Sequence, residues 1–206
     1  MFTDRVDAGA ALAKALPDQE NARQWQILGI PRGGVVVAAE VARILALPLA
    51  VVHAVKVRAP WNPELAIGAV AEGIEPILDP AWKDPRALSD QARDLAVSRA
   101  RQDLNERQGI YGAPGEVAGE HVVMIDDGAA TGFTTIAAAR SLRAAGVAEL
   151  VVALPVSSVE AARALEDECD RLIVLATPRN FMAVGQFYRE FSAVDEHEVL
   201  RLLGRS

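Results

Sequence analysis

The chain has 206 residues, 51% of them apolar, and a formal net charge of −7 at pH 7, so it suits one domain, or one with a small appendage, and has enough apolar material for a real core. An acidic balance with no basic block argues against general nucleic-acid binding. No apolar run approaches a membrane span, Met1–Gly9 lacks the apolar core of a secretion signal, and the single Cys169 excludes an internal disulfide and suits a reducing cytoplasm.

In chain order, Asp7–Leu16 reads as a short outer helix, and Gln26–Ile30 as a buried strand followed by a helix over Val35–Leu45. Leu49–Val55 reads as the second strand. From Lys56 to Asp90 the pattern dissolves into prolines, glycines and short apolar pieces. Two of these, Ala66–Val70 and Pro76–Leu78, can pair as a small antiparallel excursion. A stretch this long without strong helix signals is expected to be a functional loop or lid. Asp90–Gln108 reads as a helix with a solvated charged face, closed by Gly109. Strands at Val122–Ile125, Leu150–Pro155 and Leu172–Ala176 then alternate with helices at Thr135–Ala145, ended by Gly146, and Val159–Glu168. Thr177–Asp195 is rich in aromatics (Phe181, Phe187, Tyr188, Phe191), and a closing helix covers Asp195–Leu203. This alternation predicts an α/β fold, a mostly parallel central sheet with helices on both faces, in a single domain over 1–206.

The most informative run is Val122-Val123-Met124-Ile125-Asp126-Asp127-Gly128-Ala129-Ala130-Thr131-Gly132-Phe133-Thr134. An apolar strand ends in two carboxylates, then a turn of small residues with two hydroxyls enters a helix. Open parallel sheets bind ligands at the carboxyl ends of their strands. Free amides at a helix start, beside the Thr131 and Thr134 hydroxyls, make a phosphate cradle. Carboxylates instead accept hydrogen bonds from a polyol and attract a metal's waters. A sugar phosphate satisfies both halves. A second constellation is Gly29-Ile30-Pro31-Arg32-Gly33-Gly34-Val35, where a strand ends, glycines permit close backbone approach, and Arg32 adds a fork suited to phosphate oxygens. Neither turn is a nucleoside-triphosphate P-loop or a dinucleotide fingerprint.

The long run resembles the phosphoribosyl pyrophosphate signature of type I phosphoribosyltransferases, with Gly128 standing where that family usually has an aliphatic residue. Around Trp61-Asn62-Pro63-Glu64 the chain is similar to a little-characterised branch of predicted members. The resemblance covers nearly the whole chain. It implies a magnesium-dependent displacement at the anomeric carbon of phosphoribosyl pyrophosphate by a planar, nucleobase-like nitrogen acceptor, with pyrophosphate leaving. On the same resemblance, Asp126 and Asp127 hold the ribose hydroxyls directly or through metal-bound water, with no dedicated protein ligands to the metal. Ala129, Ala130, Thr131, Gly132, Phe133 and Thr134 hold the 5′-phosphate. Arg32, Gly33, Gly34 and Lys56 face pyrophosphate, Lys56 more so than Arg58, and the bond before Arg32 is the candidate for the family's cis peptide. Residues 56–90 correspond to a mobile loop and 177–206 to a hood, whose Phe181 and Tyr188 either stack on the acceptor or belong to the core. Purine-specific relatives carry Asp at the position of Ala130, so a hypoxanthine or guanine acceptor gains no support.

His53, His121 and His197 do not form a metal-ligand pattern. The resemblance leaves room for a homo-oligomer. It also leaves an alternative to the enzyme, a non-catalytic binder of phosphoribosyl pyrophosphate that regulates another process. That alternative predicts an appended DNA-binding module or a basic face, and the sequence shows neither.

Overall fold

The computed structural model describes residues 1–16, 25–82, 84–112 and 115–205. Its strands are β1 (Trp25–Gly29), β2 (Leu49–Val51), β3 (Ala54–Ala59), β4 (Asn62–Ala71), β5 (Ile77–Leu78), β6 (His121–Ile125), β7 (Glu149–Val156) and β8 (Arg171–Ala176). Its helices are α1 (Arg5–Ala15), α2 (Gly33–Leu45), α3 (Asp90–Tyr111), α4 (Phe133–Ala144), α5 (Val159–Glu166) and α6 (Glu196–Leu202).

Five strands form a parallel sheet in the order β2-β1-β6-β7-β8. The unbroken apolar run of β6 follows from its central place, since a strand covered on both faces alternates direction without alternating polarity. Val123 and Ile125 point into a layer with Leu12 of α1 and Val37 and Val41 of α2. Val122 and Met124 point into the opposite layer, with Ala137 and Ala138 of α4 and Leu165 of α5. Helix α1, expected as a short outer helix, lies close on α2, because a Cβ on Gly9 would come within 2.7 Å of Val37 O. Side-chain N-caps start three of the other helices: Ser89 Oγ accepts from Ala92 N, Ser158 Oγ from Ala161 N and Asp195 Oδ1 from Glu198 N. Each contributes about 1 kcal/mol.

The second predicted strand, Leu49–Val55, is two strands. The chain leaves the parallel sheet after Val51, turns through Val52 and His53, and begins a separate three-stranded antiparallel sheet in the order β3-β4-β5. The apolar run hides this change because both sheets bury the residues involved. Most of residues 56–78 therefore belong to this sheet, and the predicted pairing of the Ala66–Val70 and Pro76–Leu78 pieces is present, Gly68 opposite Leu78 and Ala69 opposite Ile77. Lys56 is a correction of place: it lies inside β3, not at the end of a parallel strand. Val55, Val57 and Ala59 pack against Ala96, Ala100 and Leu104 of α3, leaving Lys56 and Arg58 on the other, exposed face. Helix α3 also runs through Gly109, which is not a cap; Gly112, with φ 78°, ends it. No helix among the described residues is long and apolar enough to cross a membrane.

Candidate active site

Gly29 pairs with Ile125, so β1 and β6 end level. Beyond them the chain departs to opposite faces, into α2 from β1 and into α4 from β6. Such a divergence opens a crevice at the carboxyl ends of the strands.

The acidic pair stands at the end of β6. Asp126 Oδ1 accepts from Asp127 N at 2.9 Å. Gly33 and Gly34 let α2 begin hard against this pair. A Cβ on Gly33 would collide with Asp127 Oδ2, and one on Gly34 would fall 2.8 Å from Ile125 O and 2.9 Å from Asp126 Cα. Burial pushes the Asp126 carboxyl well above the usual carboxylate range, and the neighbouring Asp127 pushes it further. Burial raises Asp127 as well, against the opposing pull of Arg5.

Arg5 is one residue that sequence reasoning missed. Its Nε donates to Asp127 Oδ2 at 2.8 Å and its Nη1 to Ser192 O at 2.9 Å, while its guanidinium lies 3.9 Å from the centre of the Phe191 ring. Nothing in a short N-terminal helix marks one arginine as the partner of a carboxylate so distant in sequence.

The turn after the acidic pair is pinned from β7 and α5. Ala129 N donates to Val156 O at 3.0 Å, Ser158 N to Ala129 O at 2.9 Å, and Ser158 Oγ to Ala130 O at 2.7 Å. The Ala129 amide is thus committed to the protein and holds the turn in shape. Gly132, with φ 77°, adopts the left-handed conformation that precedes α4. The first helical bond runs from Ile136 N to Gly132 O, which leaves the preceding amides of the helix start open. Gly128 has a packing reason: a Cβ there would meet Val184 Cγ1 at 2.7 Å and Val156 Cγ1 at 2.9 Å. The departure from the family pattern makes room for the hood.

These parts line one cavity of about 580 Å³, a size suited to a small ligand. Of the residues singled out from sequence, Arg32, Gly33, Lys56, Asp126, Asp127 and the whole of Ala129–Thr134 border it. The Pro31–Arg32 peptide is cis, as expected. Gly34 does not border the cavity; its place is taken up by the packing against Asp126.

Phe181 and Tyr188 do not border the cavity either. Tyr188 is buried, and its hydroxyl donates to Asp127 O at 2.6 Å. Its ring packs with Phe2 and Phe191, and Phe181 packs on Phe187. Burial raises the Tyr188 phenol above its ordinary range, with Asp127 adding to it. The hood reaches the cavity instead through Met182, Ala183, Val184, Gly185, Phe191, Ala193 and Val194. Arg58, Glu64 and Arg107 also border it. Among the described residues no cluster of three or more His, Cys, Asp or Glu could hold a metal ion by itself.

A strand-end acidic pair, a Thr-Gly-Phe-Thr turn and a glycine loop with a cis peptide surround one crevice at the strand ends, the place where α/β proteins with an open parallel sheet bind ligands. A profile of the phosphoribosyl transferase domain matches residues 3–190, and the chain belongs to that family. It is 37% identical over 211 residues to proteins of two Mycobacterium tuberculosis strains that are named provisionally as phosphoribosyl transferases, matching 100% of this chain and 47% of theirs. The chain thus spans about half the length of the curated relatives it matches. A crystal structure from Thermus thermophilus is 40% identical, with a TM-score of 0.76 over 98% of this chain and 97% of that one. The purine phosphoribosyltransferase of Pyrococcus horikoshii shares the fold, with 16% identity and a TM-score of 0.51 over 95% of this chain and 97% of that one.

Proposed function

We propose that the chain is a magnesium-dependent phosphoribosyltransferase, which moves the phosphoribosyl group of phosphoribosyl pyrophosphate to a planar, nucleobase-like nitrogen acceptor and releases pyrophosphate. One observation carries the reading: three motifs far apart in the sequence border a single cavity at the level ends of β1 and β6.

The open amides of the α4 start, with the Thr131 and Thr134 hydroxyls, receive the 5′-phosphate. Asp126 and Asp127 hold the ribose hydroxyls. Asp127 Oδ2 is paired with Arg5 and Asp126 Oδ1 accepts from Asp127 N, so among the described residues each carboxylate keeps one oxygen without a partner. Arg32 and Lys56 lie toward pyrophosphate and balance the negative charge that grows on the leaving group, while the carboxylates face the positive charge that grows on the ribose. The Gly33 and Gly34 approach fixes the distance between these two halves. Positioning and electrostatics supply most of the acceleration such a displacement needs.

Magnesium fits this donor set. Among the described residues the site offers an acidic pair and no complete protein cage, which suits a cation that keeps several of its waters. When bound, it neutralises the pyrophosphate group. The acceptor is held by the apolar hood edge of Val184 and Phe191 with backbone groups fixing its orientation, not by Phe181 and Tyr188. The chain acts as one domain over 1–206 in the cytoplasm, with the tip of the β3–β4 hairpin as its mobile lid and 177–206 as its hood.

The test is to incubate the protein with phosphoribosyl pyrophosphate, magnesium and a panel of nucleobases, and to follow pyrophosphate release. Acceptor-dependent release is the expected result. Donor binding without release for any acceptor would overturn the enzyme reading in favour of a non-catalytic sensor of the same donor.

A further inference from the structure

Helix α3 buries a stripe of Ala96, Ala100, Leu104 and Tyr111. Arg107 falls on the same stripe, one turn after Leu104 and one turn before Tyr111. Its neighbours on that stripe, Leu104 and Tyr111, are apolar and aromatic. The sequence reading assigned it to a solvated face, yet it is half-buried and borders the cavity.

Its surroundings do not account for its charge. No carboxylate among the described residues lies within ion-pair distance of Arg107. Its one hydrogen bond among the described residues is long, from Nη1 to Pro31 O at 3.3 Å. That carbonyl belongs to the residue just before Arg32, so the guanidinium sits beside the glycine loop. Two groups around it carry its own sign, Arg32 and Arg58, opposed by Asp103 and by the Tyr111 phenol once that ionises. Burial and these two cations pull the guanidinium below its ordinary range. A partly buried cation facing like charges is costly unless an anion joins it. Its remaining N–H donors have no partner among the described residues, and the cavity is the open space beside them.

We infer that Arg107 is a further pyrophosphate-binding residue, completing with Arg32, Lys56 and Arg58 a cationic wall on the side of the cavity away from the phosphate turn. The inference rests on the donor proposed above. The turn at Ala130–Thr134 has no cationic side chain of its own, so the 5′-phosphate is held by amides and hydroxyls. The wall meets the more highly charged diphosphate instead. Guanidinium geometry matters here, because its fork can span two phosphate oxygens while one N–H stays on Pro31 O at the cavity edge.

The test is calorimetry with magnesium pyrophosphate, ribose 5-phosphate and phosphoribosyl pyrophosphate on the parent, Arg107→Met and Arg107→Lys. Arg107→Met should bind pyrophosphate about tenfold more weakly, or ~1.4 kcal/mol. Its affinity for ribose 5-phosphate should match the parent's, and its melting temperature without ligand should not fall. Arg107→Lys, which keeps the charge and loses the fork, should lie between the two. It also serves as the deciding variant if Arg107→Met does not fold. Equal pyrophosphate affinity in the folded variants, with the parent binding phosphoribosyl pyrophosphate, overturns the role of Arg107 alone. A parent that binds neither diphosphate overturns this inference together with the donor reading. An equal loss for ribose 5-phosphate and pyrophosphate makes Arg107 a residue of general architecture and overturns it as well.

Discussion

Changing Tyr188 to Phe separates two roles for the same side chain. The structure assigns the hydroxyl one task, donating to Asp127 O at 2.6 Å from a buried position. Phenylalanine keeps the ring contacts with Phe2 and Phe191, at centroid separations of 5.6 and 5.0 Å. What is lost is the donor, leaving a half-buried backbone carbonyl without its partner. Leaving such a group unsatisfied costs about 1–2 kcal/mol. For a chain of this size that corresponds to a fall in Tm of about 2–8 °C. Thermal and urea unfolding of the ligand-free protein measure it directly. Urea should show a lower midpoint with an unchanged slope, the signature of lost stability without a change in compactness. A stacking residue for a planar acceptor would behave differently, because removing a phenolic oxygen leaves the stacking face intact and the ligand-free fold undisturbed. A Tyr188→Phe protein that melts within about 1 °C of the parent would refute the buried hydrogen bond as the reason for a tyrosine here.

Three further outcomes follow from the same geometry. Because burial raises Asp126, its charged form is disfavoured in the folded protein, so its contribution to stability is intact below the ordinary carboxylate range and is lost as pH rises through the raised value. Asp126→Asn should therefore melt higher than the parent at neutral pH, with the gap closing on acidification, while the Asp126→Asn, Asp127→Asn double variant binds donor at least about tenfold more weakly; a gap that widens toward acid would reverse the sign of the argument. Gly128→Val places methyl groups against Val184 and Val156 and should cost about 1–3 kcal/mol from overpacking, in part recovered by Val184→Ala in a double-mutant cycle. Donor and magnesium together should slow amide exchange at the exposed hairpin tip around Trp61 more than in the buried half of β4, and equal exchange with and without ligand would leave the hairpin as scaffold only.

The parts of the fold and site that were legible in the sequence share a local cause. β6 could be read because four consecutive apolar residues between turn signals suit a strand buried on both faces, as in a covered parallel sheet. The acidic pair and the Thr-Gly-Phe-Thr turn could be read because a strand end, two carboxylates and a helix start are contiguous. The hidden parts depend on distance. Arg5 acts through residues with which it shares no pattern. Lys56 was misplaced because one apolar run supplied two strands in different sheets. Tyr188 carried an aromatic signal, but only the fold decides whether a ring faces a cavity or a core. Arg107 is the exception, since its place on the stripe of Ala96, Ala100, Leu104 and Tyr111 was visible in the spacing and was outweighed by the surrounding charges of the helix.

The clasp made by Arg5 has a consequence for the order in which the molecule comes together. Its bond to Asp127 joins residues 122 positions apart, and its bond to Ser192 joins residues 187 apart. Phe2 adds to this by exchanging backbone hydrogen bonds with Phe187 and Arg189. Contacts of such separation are entropically the dearest to close and are reached late in folding. On the ribosome, Arg5 emerges well before Asp127 and Ser192 and waits for both partners to be made. The central sheet can assemble around β6 while the acidic pair still lacks its guanidinium. Ability to grip a ligand should then arise as a final, separate event, trailing the appearance of secondary structure.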